Sequence, residues 1–294
     1  MSILPPDLHW ALNESLGAEP QRAVMLSGGM INRAARVETK DGPVFVKWND
    51  HAPPGLFTAE VRGLIALQAT KTIRVPAVIA AEEKASPAYL VLEYIEEHPP
   101  SDPARFTQHF AERLAAQNRA TTSIRGTFGL EEDNYLGAHL QVNTPHARWP
   151  DFYRECRLLP QIALARQKRL LPAERERLVM RVVEHLESLL DGLESRPALL
   201  HGDLWSGNFL QAGHEAVVID PAVYHGEREM EIAFVELFGG FPTGFVQAYR
   251  DIYPLDAGYE GRRPLHQLYP LLVHLNHFGE MYGPHVERVC RLLQ

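Results

Sequence analysis

The segment His201-Gly202-Asp203-Leu204-Trp205-Ser206-Gly207-Asn208 sets an amide five residues after an acid, and Val217-Val218-Ile219-Asp220-Pro221 ends on a second acid a short hairpin later. A carboxylate at the first position can orient a hydroxyl and accept its proton. An amide oxygen and a second carboxylate on a separate turn can hold Mg²⁺ against phosphate oxygens. The chemistry this spacing suits is phosphoryl transfer from ATP to an alcohol, with Asp203 as the base and Asn208 and Asp220 as metal ligands. An isolated His-Gly-Asp could equally be a polar turn that satisfies nearby backbone. Trp205, Gly207, Asn208 and the hairpin leading to Asp220 favour the chemical reading.

Those side chains need rigid supports, and the surrounding pattern supplies candidates. Residues 198–200 read as a short apolar strand entering the loop; 208–211, a turn at 212–215, and 216–219 read as the hairpin that delivers Asp220. Near the amino terminus, Leu8, Leu12 and Leu16 mark an amphipathic helix over 6–16, followed by strands at 22–27, 33–39 and 43–48. Asp41-Gly42 favours a tight hairpin between the last two. The turn from Ser27 to Asn32 is longer, and its Gly28 and Gly29 suit a lid over a nucleotide. Lys47 lies on the third strand, and a helix over 57–68 carries Glu60 on its first turn. A flexible ammonium is useful against phosphates only when held, so Lys47 is expected to contact the nucleotide with Glu60 fixing it. The plainer alternative is a surface lysine and a glutamate favoured by the helix dipole.

Two further strands, at 75–81 and 89–94, lead towards a connector, where the backbone of Glu93, Tyr94 and Ile95 is the expected edge for adenine. Beyond Pro99-Pro100, helical periodicity or composition covers 104–121, 149–167, 172–193, 229–237, 242–249 and 263–279. The expected fold is therefore α+β and two-lobed. A small antiparallel sheet lobe over 1–97 would bind nucleotide, and a larger, mostly helical lobe over 98–294 would carry catalysis and the acceptor. On the acceptor side, Trp205 could pack on a sugar face, and His274, Asn276 and His277 could line the pocket or bridge helices.

At 294 residues the chain can bury a substantial core. Its formal charge of −8 gives no general basis for holding nucleic acid. No apolar run approaches the roughly 20 residues of a membrane span, and the amino terminus has no secretory pattern, so a cytoplasmic protein is expected. Cys156 and Cys290 are too few and too far apart for a disulfide framework or zinc site, and the histidines show no ligand spacing.

Gly28-Gly-Met-Ile-Asn32, Phe45-Val-Lys47, the 134–141 stretch with Asn143, Trp149-Pro-Asp-Phe152, Arg157-Leu158 with Pro160-Gln161, the Asp203–Asn208 loop, Asp220-Pro-Ala222, Leu237-Phe-Gly-Gly-Phe241 and Leu271–Asn276 together resemble the fructosamine (ketosamine) kinases. That family is related to the aminoglycoside and choline phosphotransferases within the protein-kinase-like fold. The resemblance spans nearly the whole chain. It implies ATP- and Mg²⁺-dependent phosphorylation of the 3-hydroxyl of a ketoamine, a sugar–amine adduct that can be free or carried on a glycated protein, in a repair reaction that ends in amine release. The sequence departs from the expected pattern in three places: no third glycine follows Gly28-Gly29, Glu231 stands where Asp is expected, and His225 replaces an aromatic. Two alternatives remain open at this level. One is a kinase of another small acceptor, such as an aminoglycoside, choline or homoserine; the other is a non-catalytic nucleotide binder, which the intact Lys47, Asp203, Asn208 and Asp220 disfavour. A protein-directed Ser/Thr kinase is disfavoured by the short connection after Asp220.

Overall fold

Alternating burial along the first strands decides which side of the sheet carries Lys47. The structure is a computed structural model that describes residues 3–26, 32–120, 123 and 125–294. Helix α1 (Pro6–Leu16) precedes strands β1 (Arg22–Leu26), β2 (Arg33–Thr39) and β3 (Gly42–Asn49); α2 (Leu56–Ala69), β4 (Val78–Glu82) and β5 (Ala88–Glu93) complete this part. The strands form one antiparallel sheet in the order β1-β2-β3-β5-β4. Val44, Val46 and Trp48 of β3 pack with Val37, Tyr89 and Val91 beneath Leu8 and Leu12 of α1. The period of two then points Phe45 and Lys47 to the opposite face. There Leu90 and Leu92 meet Phe57, Leu64 and Leu67 of α2.

The chain continues through α3 (Pro103–Arg119), whose start is fixed by Asp102 accepting the Arg105 N–H at 3.0 Å with Pro103 in the first turn. A small hairpin follows, β6 (Asn134–Leu136) and β7 (His139–Gln141). Next come α4 (Trp149–Phe152), a π-helical segment Tyr153–Leu158, α5 (Leu159–Gln167), α6 (Ala173–Glu184) and α7 (Leu186–Leu189). Strand β8 (Ala198–Leu200) enters the loop of Asp203, a 3₁₀ turn spans Ser206–Asn208, and β9 (Phe209–Ala212) and β10 (Glu215–Val218) form the hairpin. Strand β11 (Tyr224–Gly226) returns antiparallel to β8. Helices α8 (Glu229–Phe238), α9 (Phe245–Ile252), α10 (Tyr259–Phe278) and α11 (Gly283–Leu292) close the chain.

The sheet part and the helical part are tied beside β10. Arg74 donates to Glu93 at 2.8 Å and to Glu215 at 3.0 Å, and its carbonyl accepts the Val218 N–H at 3.0 Å. His98 exchanges backbone bonds with the same hairpin, donating to Gln211 at 2.8 Å and accepting from Gly213 at 3.0 Å. The hairpin that carries Asp220 is thus registered against the sheet that carries Lys47.

Differences from the sequence expectations have local causes. The helix expected over 149–167 is interrupted by the π-helical segment Tyr153–Leu158, whose wider turns seat the buried Arg157. The expected 172–193 helix divides at His185, which leaves the α-helical region. Expected helix 242–249 lies instead at Phe245–Ile252, because Gly244 takes a left-handed conformation at its start. Strands β6, β7 and β11 are three residues each, too short to declare a period. Among the described residues no helix is long and apolar enough to cross a membrane, and Cys156 and Cys290 are buried free thiols.

Candidate active site

Lys47 is the meeting point. Its ammonium donates to both oxygens of Glu60, at 3.0 and 2.9 Å, and to Asp220 Oδ1 at 2.8 Å. The lysine and Glu60 side chains are nearly buried, whereas that of Asp220 is 41% exposed and opens to the cavity. Burial works against the ammonium's charge, but Asp220 and Glu60 outweigh it, and its pKa stands above the ordinary lysine value. Asp220 adopts φ 53°, the left-handed region that Asp tolerates better than most residues. That turn aims its carboxylate back at β3.

The Asp203 loop is built from backbone contacts that side chains would spoil. Gly202 has φ 83°, and a Cβ there would overlap the Ala222 carbonyl. His201 is fully buried: Nε2 lies 2.9 Å from the Ile219 carbonyl, and Nδ1 accepts the Asp203 N–H at 3.3 Å. Those partners require a neutral ring with its proton on Nε2, and burial pushes the pKa down to about 4. Glu231, the unexpected glutamate, accepts the His201 N–H at 2.7 Å from the first turn of α8. Its extra methylene still reaches the loop, so this departure preserves a carboxylate under the loop backbone. A lone acid within the apolar run Met230–Val235 was the sequence signal for it. His225, the other departure, sits on β11, with Nδ1 3.2 Å from the Gly129 carbonyl, away from the acids.

Asn208 Nδ2 donates to the Asp203 carbonyl at 2.8 Å and to Asp203 Oδ2 at 3.0 Å. With its NH₂ so used, the Asn208 carbonyl oxygen is left as the acceptor. Burial and then the Asp220 charge push Asp203 up to about 8, against the opposing pull of Asn208 and Lys47. Three carboxylates thus face a single ammonium. Among the described residues no group of three or more acids, histidines or cysteines could cage a metal alone. An oxygen pair from Asn208 and Asp220 that leaves further positions to phosphates is the donor set Mg²⁺ prefers, so the residues present fit that ion.

The acids, Lys47 and Asn208 line one cavity of about 230 Å³. The rest of its lining is mainly uncharged and includes the aromatic Tyr135, Trp205, Phe234 and Phe278, with His274 and His277. His274 Nδ1 lies 2.8 Å from the Pro270 carbonyl, which places the proton there and leaves Nε2 as an acceptor. Asn276 does not join this lining. It is buried, and its amide donates to the Gln161 carbonyl at 3.0 Å and to Gln161 Oε1 at 2.8 Å, bridging α10 to α5. Tyr135, Leu136 and Gly137 of the β6–β7 hairpin also line the cavity; sequence reasoning missed them because the hairpin was not visible as one. Of the expected adenine edge, the Glu93 N–H is already donated to Ala77 at 2.8 Å, the Tyr94 ring stacks under Arg36 at 4.8 Å, and Ile95 is buried. Gly28 and Gly29 lie outside the described residues; Asn32, just after them, lines the cavity.

Trp205 owes its place to two glycines. The indole lies over Gly207, where any Cβ would overlap the ring, and Gly240 of the Leu237–Phe241 motif abuts the Ser206 side chain. Phe241 then anchors that motif among Phe110, Phe209 and Phe245.

The sequence model of the family described as fructosamine kinase matches residues 7–294. A relative from Enterococcus faecium, carrying the name of a probable ketoamine kinase, is 39% identical over 271 residues, 91% of this chain and 94% of its own length. An Arabidopsis thaliana relative, named protein-ribulosamine 3-kinase, chloroplastic, is 35% identical and covers 94% of this chain and 84% of itself. A Thermobifida fusca structure described as a fructosamine-3-kinase superposes with TM-score 0.87 at 36% identity, over 97% of this chain and 98% of that one. An aminoglycoside phosphotransferase solved with ADP and hygromycin B shares the fold at TM-score 0.67 and 18% identity, over 97% and 98% of the two chains.

Two substitutions test the steric construction of the loop. Gly202→Ala combines a left-handed backbone with a carbonyl overlap and should lower unfolding stability by roughly 2–4 kcal/mol, read by chemical denaturation. Gly207→Ala displaces only the exposed indole, so the fold and the KM for ATP should hold while the acceptor KM rises about fivefold, the worth of roughly 1 kcal/mol of aromatic contact.

Proposed function

The chain belongs to the fructosamine kinase family, and from that premise we propose that this ATP-dependent phosphotransferase phosphorylates the 3-hydroxyl of fructosamine- or ribulosamine-type ketoamines, using Mg²⁺, in cytoplasmic repair of glycated amines. The observation that supports this reading is that two unlike sets of side chains line one cavity. Lys47, Asp203, Asn208 and Asp220 form one, and the neutral aromatic and histidine surface forms the other. The proposed division follows the lobes: residues 1–97 hold nucleotide, and 98–294 carry the acceptor and catalytic groups.

In this reading Asp203 orients the acceptor hydroxyl and takes its proton as the phosphoryl group leaves ATP. Lys47 contacts the phosphates and is held by Glu60. Asn208 and Asp220 would hold Mg²⁺, which would supply charge neutralisation to the phosphate oxygens. The backbone near Glu93, Tyr94 and Ile95 is proposed to face the nucleotide, and Gly28 and Gly29 are proposed as nucleotide-binding residues. Trp205 offers its indole to the sugar, and His274 Nε2 offers an acceptor to a sugar hydroxyl. Asn276 supports α10 from behind.

The acceptor wall also separates this reading from a kinase of polycationic aminoglycosides. Apart from Glu60, Asp203 and Asp220, no carboxylate among the described residues lines the cavity. Several ammonium groups would enter without partners, whereas a ketoamine brings one.

Mg²⁺-dependent ADP release with fructosyl-lysine, ribulosyl-lysine, an aminoglycoside and choline tests the assignment side by side. The ketoamines should turn over with the largest kcat/KM; selective turnover of the aminoglycoside or choline would contradict the substrate class. Asp203→Asn should retain ATP binding but lose about a hundredfold or more in kcat. Wild-type turnover by that variant would remove Asp203 from the chemistry.

A further inference from the structure

Arg157 is fully buried, at the inner side of the π-helical segment Tyr153–Leu158. Its guanidinium lies over the rings of Tyr224, Phe152 and Tyr269, at 3.9, 4.5 and 5.4 Å from their centroids. It donates to the Val142 carbonyl at 2.6 Å, the Cys156 carbonyl at 3.0 Å and Asn143 Oδ1 at 2.8 Å. Arginine is donor-only, so the amide facing it must present oxygen.

That requirement propagates. Asn143 turns its NH₂ to Asn134 Oδ1 at 2.9 Å, and Asn134 turns its own NH₂ to the Val223 carbonyl at 2.8 Å. Gln141 donates to Asn134 Oδ1 at 2.8 Å and to the Ala222 carbonyl at 3.1 Å, while its oxygen accepts the Tyr269 hydroxyl at 2.8 Å. The chain of amides therefore starts at a group that can only donate and ends on two carbonyls that can only accept. Every amide orientation between them is determined by those ends. Ala222 in turn donates its N–H to the His201 carbonyl at 2.9 Å, and its own carbonyl closes on Gly202. The backbone so gripped begins two residues after Asp220 and touches the loop of Asp203.

We propose that Arg157 is a remote positioning residue for Asp220: by polarising the Asn143–Asn134–Gln141 amides it holds the Ala222–Val223 backbone where the two catalytic loops cross. A π-helical turn, uncommon and found most often at functional sites, is what brings its side chain to this depth. The inference rests on the reading of Asp220 as a metal ligand given above. Arg157 touches neither nucleotide nor acceptor, so its loss acts through the Asp220 loop.

The test compares the wild type with Arg157→Met, Asn134→Asp and Asp220→Ala. A methionine suits the aromatic box, and replacing a buried charge with an apolar chain of similar volume is commonly tolerated, so Arg157→Met is expected to fold. Calorimetric binding of a non-hydrolysable ATP analogue, with Mg²⁺ and with EDTA, gives the gain in affinity due to the metal. In Arg157→Met and Asn134→Asp that gain should shrink by about tenfold, with binding in EDTA unchanged, as for residues that orient a metal ligand. Their kcat for the ketoamine should fall by about tenfold while its KM stays within about twofold. Folded variants with the wild-type metal gain would overturn the proposal, and because Asn134 also lines the cavity, Asn143→Ala, behind that lining, decides if Arg157→Met does not fold. Asp220→Ala should abolish the gain. If it does not, the metal-ligand assignment itself fails, whereas its success beside unaffected Arg157 and Asn134 variants sinks the positioning role only.

Discussion

One ammonium ties two carboxylates from separate elements, Glu60 and Asp220, into a common frame. Lys47 stands 2.8 to 3.0 Å from carboxylate oxygens that reach it from α2 and from the turn after β10. A nearly buried lysine is costly without partners, and two acids more than offset that cost here. The balance is deliberately incomplete in charge: Glu60, Asp220 and nearby Asp203 outnumber the single cation. Burial and Asp220 accordingly raise Asp203, so the excess negative charge is relieved by a proton on Asp203 or by an added cation. In the proposed reading, a bound metal would give Asp220 a cation of its own and the nucleotide phosphates would give Lys47 an anion to turn to.

Around this frame, sterics explain motifs that chemistry alone does not. The glycines of the Asp203 loop and of the Leu237–Phe241 segment carry no reactive group. Gly202 allows the Ala222 carbonyl to close on the loop, Gly207 gives the Trp205 indole a place to lie, and Gly240 admits Ser206. Each removes a side chain where a neighbour must come within contact. The spelling of these motifs is, in this region, a description of close packing beside the cavity.

That Asp203, Asn208, Asp220, Lys47 and Glu60 line one cavity was legible because Lys47 and Glu60 sit on a strand and a helix whose periods can be read, and because the loop spacing and the hairpin to Asp220 are short. The sheet part was legible from its strand periods, with strand ends displaced by at most three residues. What stayed hidden was carried by elements too short to show a period: the β6–β7 hairpin that lines the cavity, and β11 against β8. The π-helical turn at Tyr153–Leu158 is invisible to a 3.6-residue pattern, and the buried amides it supports look like ordinary loop residues. Asn276 illustrates the converse. A polar residue on a helix near a pocket looks like a ligand contact, but helical rotation turns it to Gln161, while His274 and His277 on the same helix line the cavity.

The most direct test of this frame is a crystal structure with Mg²⁺ and a non-hydrolysable ATP analogue. The account predicts the metal bound by the Asn208 and Asp220 oxygens, Lys47 on the phosphates while still paired with Glu60, and Asp203 facing the open acceptor side. A nucleotide bound elsewhere, with Lys47 still closed on Asp220 and no metal at Asn208, would contradict it.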